Sequence, residues 1–111
     1  MEKQFTAEYT PEAIEQVFAL DADSRKKIVA AIAAFEVLGV EYKNINKLDY
    51  DLYEIKPKGV RAYFQYDADQ RKVIIIGFVC LKETQKAPRR YMKRAVRNIE
   101  AYKRSINNDK V

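Results

Sequence analysis

Histidine is absent from the 111-residue chain, and cysteine occurs once, at Cys80. Without histidine the Ser-His and Cys-His nucleophilic schemes and the usual zinc sites are excluded. Any catalysis has to use Lys, Arg, Tyr, Asp or Glu. A single cysteine makes no internal disulfide and supplies no metal cluster. No metal or other cofactor is implied. The longest unbroken apolar run, Val73 to Leu81, has nine residues, whereas a membrane span takes about 20. No membrane partner is expected. The opening Met1-Glu2-Lys3-Gln4-Phe5 has no basic segment followed by an apolar stretch, so no secretory signal is read. A cytoplasmic protein is the simplest expectation.

What is present points to one folded domain over residues 1–111. The hydrophobic share is 48%, with 8 Tyr and 5 Phe, too much for a disordered chain. The net charge of +5 hides a split. Residues 1–55 carry 6 basic and 11 acidic side chains, and residues 56–111 carry 15 and 5. A net −5 half precedes a net +10 half.

Residues 4–9 alternate weakly and suit a short strand. Thr10-Pro11-Glu12 reads as a helix start, with Thr as N-cap, Pro first and Glu in the first turn. Ile14, Val17 and Phe18 carry that helix's apolar spacing. Asp21 and Asp23 punctuate it. A second helix follows, with Ile28, Ile32 and Phe35 on one stripe, Val29 and Ala33 beside it, and Gly39 as the stop. Residues 40–51 are polar and read as a surface loop. From Leu52 the period changes to two. Leu52–Lys56, Gly59–Tyr66 and Lys72–Cys80 read as three strands of an antiparallel meander. The third is apolar on both faces and is expected to be central. A last helix is expected from Pro88 to Ile106, with Met92, Ala95, Val96, Ile99 and Ile106 as its apolar stripe and Tyr91 and Tyr102 at the edge. Residues 105–111 are expected to fray. The fold class is α+β: a small antiparallel sheet of an N-terminal strand plus a three-strand meander, two N-terminal helices and a basic C-terminal helix.

A two-residue turn at Pro57-Lys58 would set Lys56 against Gly59, Ile55 against Val60 and Glu54 against Arg61. One sheet face then holds Tyr53, Ile55, Val60, Ala62, Phe64 and Tyr66, a core face. The other holds Leu52, Glu54, Lys56, Arg61, Tyr63 and Gln65. Its plainest reading is a cross-strand Glu54–Arg61 ion pair on a solvated face, worth a few tenths of a kcal/mol. The segment Lys82–Arg104 carries nine basic residues against only Glu83 and Glu100. Arg90, Lys93, Arg94, Arg97 and Arg104 fall within one arc of about 100°. Like charges at that spacing repel, and a polyanion would relieve them.

These segments resemble the RelE/ParE toxin superfamily, and in particular its phage-related, HigB-like branch. The resemblance rests on Leu52-Tyr53-Glu54-Ile55-Lys56, on Gly59-Val60-Arg61-Ala62-Tyr63-Phe64, and on Lys82-Glu83-Thr84-Gln85-Lys86-Ala87-Pro88 after an apolar strand. It spans roughly Leu52 to Tyr102. It implies a RelE-like fold and a toxin of a type II toxin–antitoxin system. The RelE and HigB branches cleave mRNA in the ribosomal A site, whereas the ParE branch poisons DNA gyrase. The implied partners are a cognate antitoxin, expected as a small helix-turn-helix protein, the ribosome and mRNA.

By the same resemblance Lys56, Lys58, Arg61, Lys82 and Lys86 match the family's basic site residues. The catalytic tyrosine that the RelE branch carries early in the last helix is replaced by Met92, and Tyr91, one residue away, is the candidate for its role. Glu83 stands where the branch usually has a second basic residue. A ribonuclease without histidine would take its base from Lys56, Lys58 or Glu54, and Arg61, Lys82 and Lys86 would hold the phosphate. Arg89, Arg90, Lys93, Arg94 and Arg97 would bind RNA or the ribosome. On this reading Arg61→Ala and Lys56→Ala relieve growth arrest and leave the fold intact. The alternatives are a ParE-like gyrase inhibitor without nuclease activity and a non-toxic RNA-binding or regulatory domain on the same fold.

Overall fold

The computed structural model describes residues 2–83 and 86–109. Thr84 and Gln85, part of the segment that carries the resemblance, lie outside the described residues, as do residues 110–111 of the expected tail.

The order of elements is β1 (Thr6–Tyr9), α1 (Pro11–Ala19), α2 (Ala22–Leu38), a short 3₁₀ turn (Gly39–Glu41), β2 (Ile45–Lys47), β3 (Tyr53–Ile55), β4 (Val60–Tyr66), β5 (Val73–Leu81) and α3 (Arg89–Asp109). Local chemistry sets the helix ends as expected. The Thr10 hydroxyl accepts from the Ala13 N–H, with Pro11 in the first turn. Asp21 caps α2 through the Ser24 N–H, and Gly39 closes it with φ +59°. The last helix runs to Asp109, past the expected end at Ile106.

The five strands form one sheet in the order β1-β5-β4-β3-β2. Two features differ from the expected antiparallel four-strand sheet. First, β1 pairs with β5 in parallel, with Thr6 beside Val73 and Tyr9 beside Ile76. The two N-terminal helices return the chain over the sheet before β5 is laid down, and alternation along a strand does not encode its direction. Second, Ile45–Lys47, expected within a loop, is an edge strand paired antiparallel to β3. Three residues are too short for a period to be read.

The sheet is covered on both faces. On one, Ala13 and Val17 of α1 and Ile28, Ala31, Ile32 and Phe35 of α2 pack on Ile55, Val60, Ala62, Phe64, Ile74, Ile76 and Val79. On the other, Met92, Ala95 and Ile99 of α3 pack on Leu52, Tyr63 and Ile75. Ile14, Phe18 and Val29, placed on apolar stripes by their spacing, remain exposed.

The face change in β5 turns on Gly77. Tyr63 pairs with Phe78 and Phe64 with Ile76, so Gly77 is an extra residue, a bulge. It puts Ile76 and Val79 on the α1/α2 face and Phe78 on the α3 face. Its carbonyl accepts from Asn98 Nδ2 at 2.9 Å. A β-carbon there would lie 2.5 Å from the Ala95 carbonyl oxygen.

Candidate nucleic-acid interface

The expected two-residue turn is not the one formed. Ile55 pairs with Ala62 and Glu54 with Tyr63, which leaves six residues, Lys56–Arg61, in the connection. Val60 N–H donates to the Pro57 carbonyl at 3.3 Å, and Gly59 takes φ +87°. The pairing is two residues away from the expected one. An even shift keeps every side chain on its face, so the division into faces stands while the direct partners change.

The second face is not solvated. Glu54 is 3% exposed and Arg61 1%. They meet diagonally, Arg61 Nε 3.5 Å from Glu54 Oε2. Asn46 Nδ2 donates to Glu54 Oε1 at 3.3 Å. Arg61 is also hydrogen-bonded to the Tyr63 hydroxyl, which accepts from the Cys80 thiol across 4.0 Å. Burial pushes the Tyr63 hydroxyl well above its usual range, Cys80 beside it adds to that, and Arg61 opposes it. Burial likewise raises the Cys80 thiol. The surface ion pair expected from the strand pattern is therefore a buried polar cluster on the face that α3 covers.

Above Glu54 lies an open groove of about 790 Å³. One wall is the β2 edge and its continuation, Asn46, Lys47, Leu48 and Asp49. The other is the start of α3 with the residues before it, Lys86, Ala87, Arg89 and Met92. Three cations thus line a cleft whose buried carboxylate is held from behind by an arginine. Of the residues expected from sequence, Glu54, Lys86 and Arg89 share this groove. Asn46, Lys47 and Asp49 were not expected, because they belong to the segment read as a loop. Their only signal is the three-residue strand.

Lys56, Lys58 and Lys82 do not line the groove. They gather at the adjacent end of the sheet. Lys56 N–H donates to the Asn44 carbonyl at 3.0 Å, and Lys82 N–H donates to the Gly59 carbonyl at 2.9 Å. Lys58 and Lys82 are exposed. Tyr91 is engaged in a stack: its ring lies 4.9 Å from Phe78, which stacks on Tyr63 at 6.1 Å. The Arg90 guanidinium sits 4.8 Å over Tyr91. Met92 occupies a buried position beside the groove.

The basic arc of α3 is not uninterrupted. Arg94 Nε donates to Glu12 Oε2 at 3.1 Å, and Asn98 donates to the same carboxylate. Burial would raise the Glu12 carboxyl, but hydrogen bonds from Arg94 and Asn98 and the charges of Arg94 and Arg97 hold it below its usual range. Lys103 lies 3.5 Å from Asp67, and Tyr102 donates to Glu8 at 3.0 Å. Glu8 and Glu12 from the acidic N-terminal half, together with Asp67 after β4, thus tie α3 to the rest of the domain, which the sequence alone does not place. Arg89, Arg90 and Lys93, in the first turns of α3, are exposed.

This five-stranded mixed sheet, with two helices on one face and one on the other, defines a RelE-like α+β protein. A family model described as phage derived protein Gp49-like (DUF891) matches residues 15–100. The chain belongs to that Gp49-like family, a RelE/ParE-like toxin family. Among solved structures it is similar to a free-state mutant of the toxin RelE from E. coli, with a TM-score of 0.64 and 20% identity over 89% of this chain and 99% of that one. It is also similar to a chain of the intact E. coli RelBE toxin–antitoxin complex, with 0.57 and 21% over 72% and 99%. A chain of the archaeal RelE-RelB complex from Pyrococcus horikoshii gives 0.57 and 17% over 76% and 99%. At these identities the likeness is one of fold. No curated protein matches the sequence.

Proposed function

We propose that the chain is the toxin of a toxin–antitoxin pair and that it inhibits translation by cutting mRNA on the ribosome. The observation that carries this is the groove: Lys47, Lys86 and Arg89 around the carboxylate of Glu54. The fold shared with chains from toxin–antitoxin complexes supports an antitoxin partner. The HigB-like branch is part of the proposal, and action on ribosomes places the protein in the cytoplasm.

The chemistry needs few parts. Glu54 takes the proton of the ribose 2′-hydroxyl. The 2′-oxygen attacks the adjacent phosphorus. The bond to the 5′-oxygen breaks, and Lys86 supplies the proton to that leaving group. The products are a 2′,3′-cyclic phosphate and a 5′-hydroxyl. Arg89 and Lys47 hold the non-bridging oxygens, where negative charge grows in the transition state. Lys56, Lys58 and Lys82, at the end of the sheet, draw in the flanking backbone. The ribosome supplies the alignment that an open groove cannot, and alignment is a large share of any barrier reduction.

The double substitution Lys86→Ala/Arg89→Ala tests this reading. Both side chains are exposed, so the fold is expected to persist. Cleavage of mRNA on programmed ribosomes should fall by about 10²-fold or more, the usual cost of removing preorganised charge stabilisation. Binding should weaken steeply with salt. Cleavage unchanged in the double variant, with a flat salt response, would remove the groove from the account.

A further inference from the structure

The β2–β3 hairpin closes on a residue that its backbone does not favour. Tyr50 and Asp51 are both left-handed, with φ +62° and +59°. Leu52 N–H donates to the Asp49 carbonyl at 3.1 Å. Two left-handed residues inside a bonded four-residue turn make it type I′, where Asn, Asp and Gly cost least. Asp51 suits its place. A tyrosine at a positive φ is an outlier, and strain of this kind persists where something else requires the side chain.

The core does not require it. The Tyr50 residue is 41% exposed and belongs to neither apolar cluster. Its anchored part is the backbone carbonyl, which accepts from Gln65 Nε2 at 2.9 Å. Its position is informative: Asn46 to Asp49 form one wall of the cationic groove, and Tyr50 is the next residue along. Tyr91, the aromatic expected near the site from sequence, is already taken up by Phe78 and Arg90.

We propose that Tyr50 is a base-stacking residue at the end of the groove, taking an unpaired nucleobase on its ring. The inference rests on the RNA reading above. Lys47, Lys86 and Arg89 grip phosphates, which are alike at every nucleotide and fix no register. An aromatic side chain one residue past the groove wall would fix one, because unpaired bases stack on such rings whatever their sequence. The base belongs either to the mRNA or to ribosomal RNA.

The test uses the full chain, mRNA-programmed ribosomes and the variants Tyr50→Asn and Tyr50→Phe. Asn relieves the turn, so its Tm should rise by a few degrees, about 4 °C. Its cleavage at limiting toxin should nevertheless fall about tenfold. Phe keeps the ring and should keep cleavage. Opposite signs in stability and cleavage are what a purely structural tyrosine would not give. An abasic nucleotide in the cut codon abolishes the difference between wild type and Tyr50→Asn if the base is the mRNA's, and leaves it if the base is ribosomal. Should Tyr50→Asn cleave like wild type while Lys86→Ala/Arg89→Ala fails, the role of Tyr50 is overturned and the RNA reading stands. Should Tyr50→Asn lose stability and cleavage together, the tyrosine is structural and the proposal is overturned. Should the wild type cut no mRNA, the RNA reading falls and takes this proposal with it.

Discussion

Arg61→Ala is expected to destabilise the protein by about 3–5 kcal/mol, the usual cost of removing one partner from a buried ion pair. The reason is the 1% exposure of Arg61 and the 3.5 Å approach of its Nε to Glu54 Oε2. Truncation would leave the Glu54 carboxylate buried under α3, with Asn46 as its hydrogen-bond donor among the described residues. Total stabilities of small domains are about 5–15 kcal/mol, so the loss is a large share. Relief of growth arrest by this variant would therefore not assign a catalytic role, contrary to the expectation from sequence that the fold survives the change.

A second variant separates the two effects. Glu54→Leu/Arg61→Met replaces the pair by apolar groups of similar size, a change that is often neutral or stabilising. Urea unfolding should show Arg61→Ala far below wild type and the double variant near it. Cleavage should be lost in both, in Arg61→Ala because the fold is weakened and in the double variant because the Glu54 carboxylate is gone. An Arg61→Ala protein as stable as wild type would mean that the pair is solvated after all.

Gly77→Ala is expected to be nearly as costly. The added methyl would sit 2.5 Å from the Ala95 carbonyl oxygen and 2.8 Å from Ile99 Cγ1. The first of these is backbone and cannot swing aside. Overpacking of this kind costs about 1–3 kcal/mol and can cost more. α3 must move outward, which strains the bond from Asn98 to the Gly77 carbonyl and shifts Arg89 and Met92 away from the opposite wall of the groove. A lowered urea midpoint with impaired cleavage is the expected result. Gly59→Ala makes the contrast: nothing lies within 4 Å of its β-carbon position, so its cost comes from the strain of an alanine at φ +87° and not from crowding.

The parts of the fold legible in the sequence are those set by neighbours along the chain. Thr10, Pro11, Asp21 and Gly39 define helix ends through local hydrogen bonds and backbone preference, and they stand where expected. The two-faced apolar pattern of Val73–Leu81 marked an interior strand, and β5 lies between β1 and β4. What was not legible depends on distant contacts. The parallel pairing of β1 follows from the helical crossover, not from its four residues. The β3–β4 connection is longer than its Pro57-Lys58 signal, because Gly59 extends the turn. The solvated reading of the second face failed for a physical reason: Leu52, Tyr63 and Ile75 needed a cover, and the stripe Met92–Ala95–Ile99 is that cover. The two halves of this contact were each visible, but their meeting was not.

The candidate site was legible in the same uneven way. Glu54 and Lys86 were named through the family resemblance and Arg89 from the basic segment, and the three do share a groove. Arg61 was named too, but burial makes it the support of Glu54, not a surface cation. Arg94 is held by Glu12, from the opposite end of the chain. The +10 half therefore does not present all its charge outward, because part of the −5 half neutralises it.

The central claim is that this chain cuts mRNA. It is tested most directly by primer extension on cellular transcripts after induction, comparing wild type with Lys86→Ala/Arg89→Ala. The account predicts new 5′ ends inside translated codons, bearing 5′-hydroxyls, with the wild type and their absence with the double variant. Growth arrest with intact transcripts and a DNA-damage response would contradict it and point to gyrase instead.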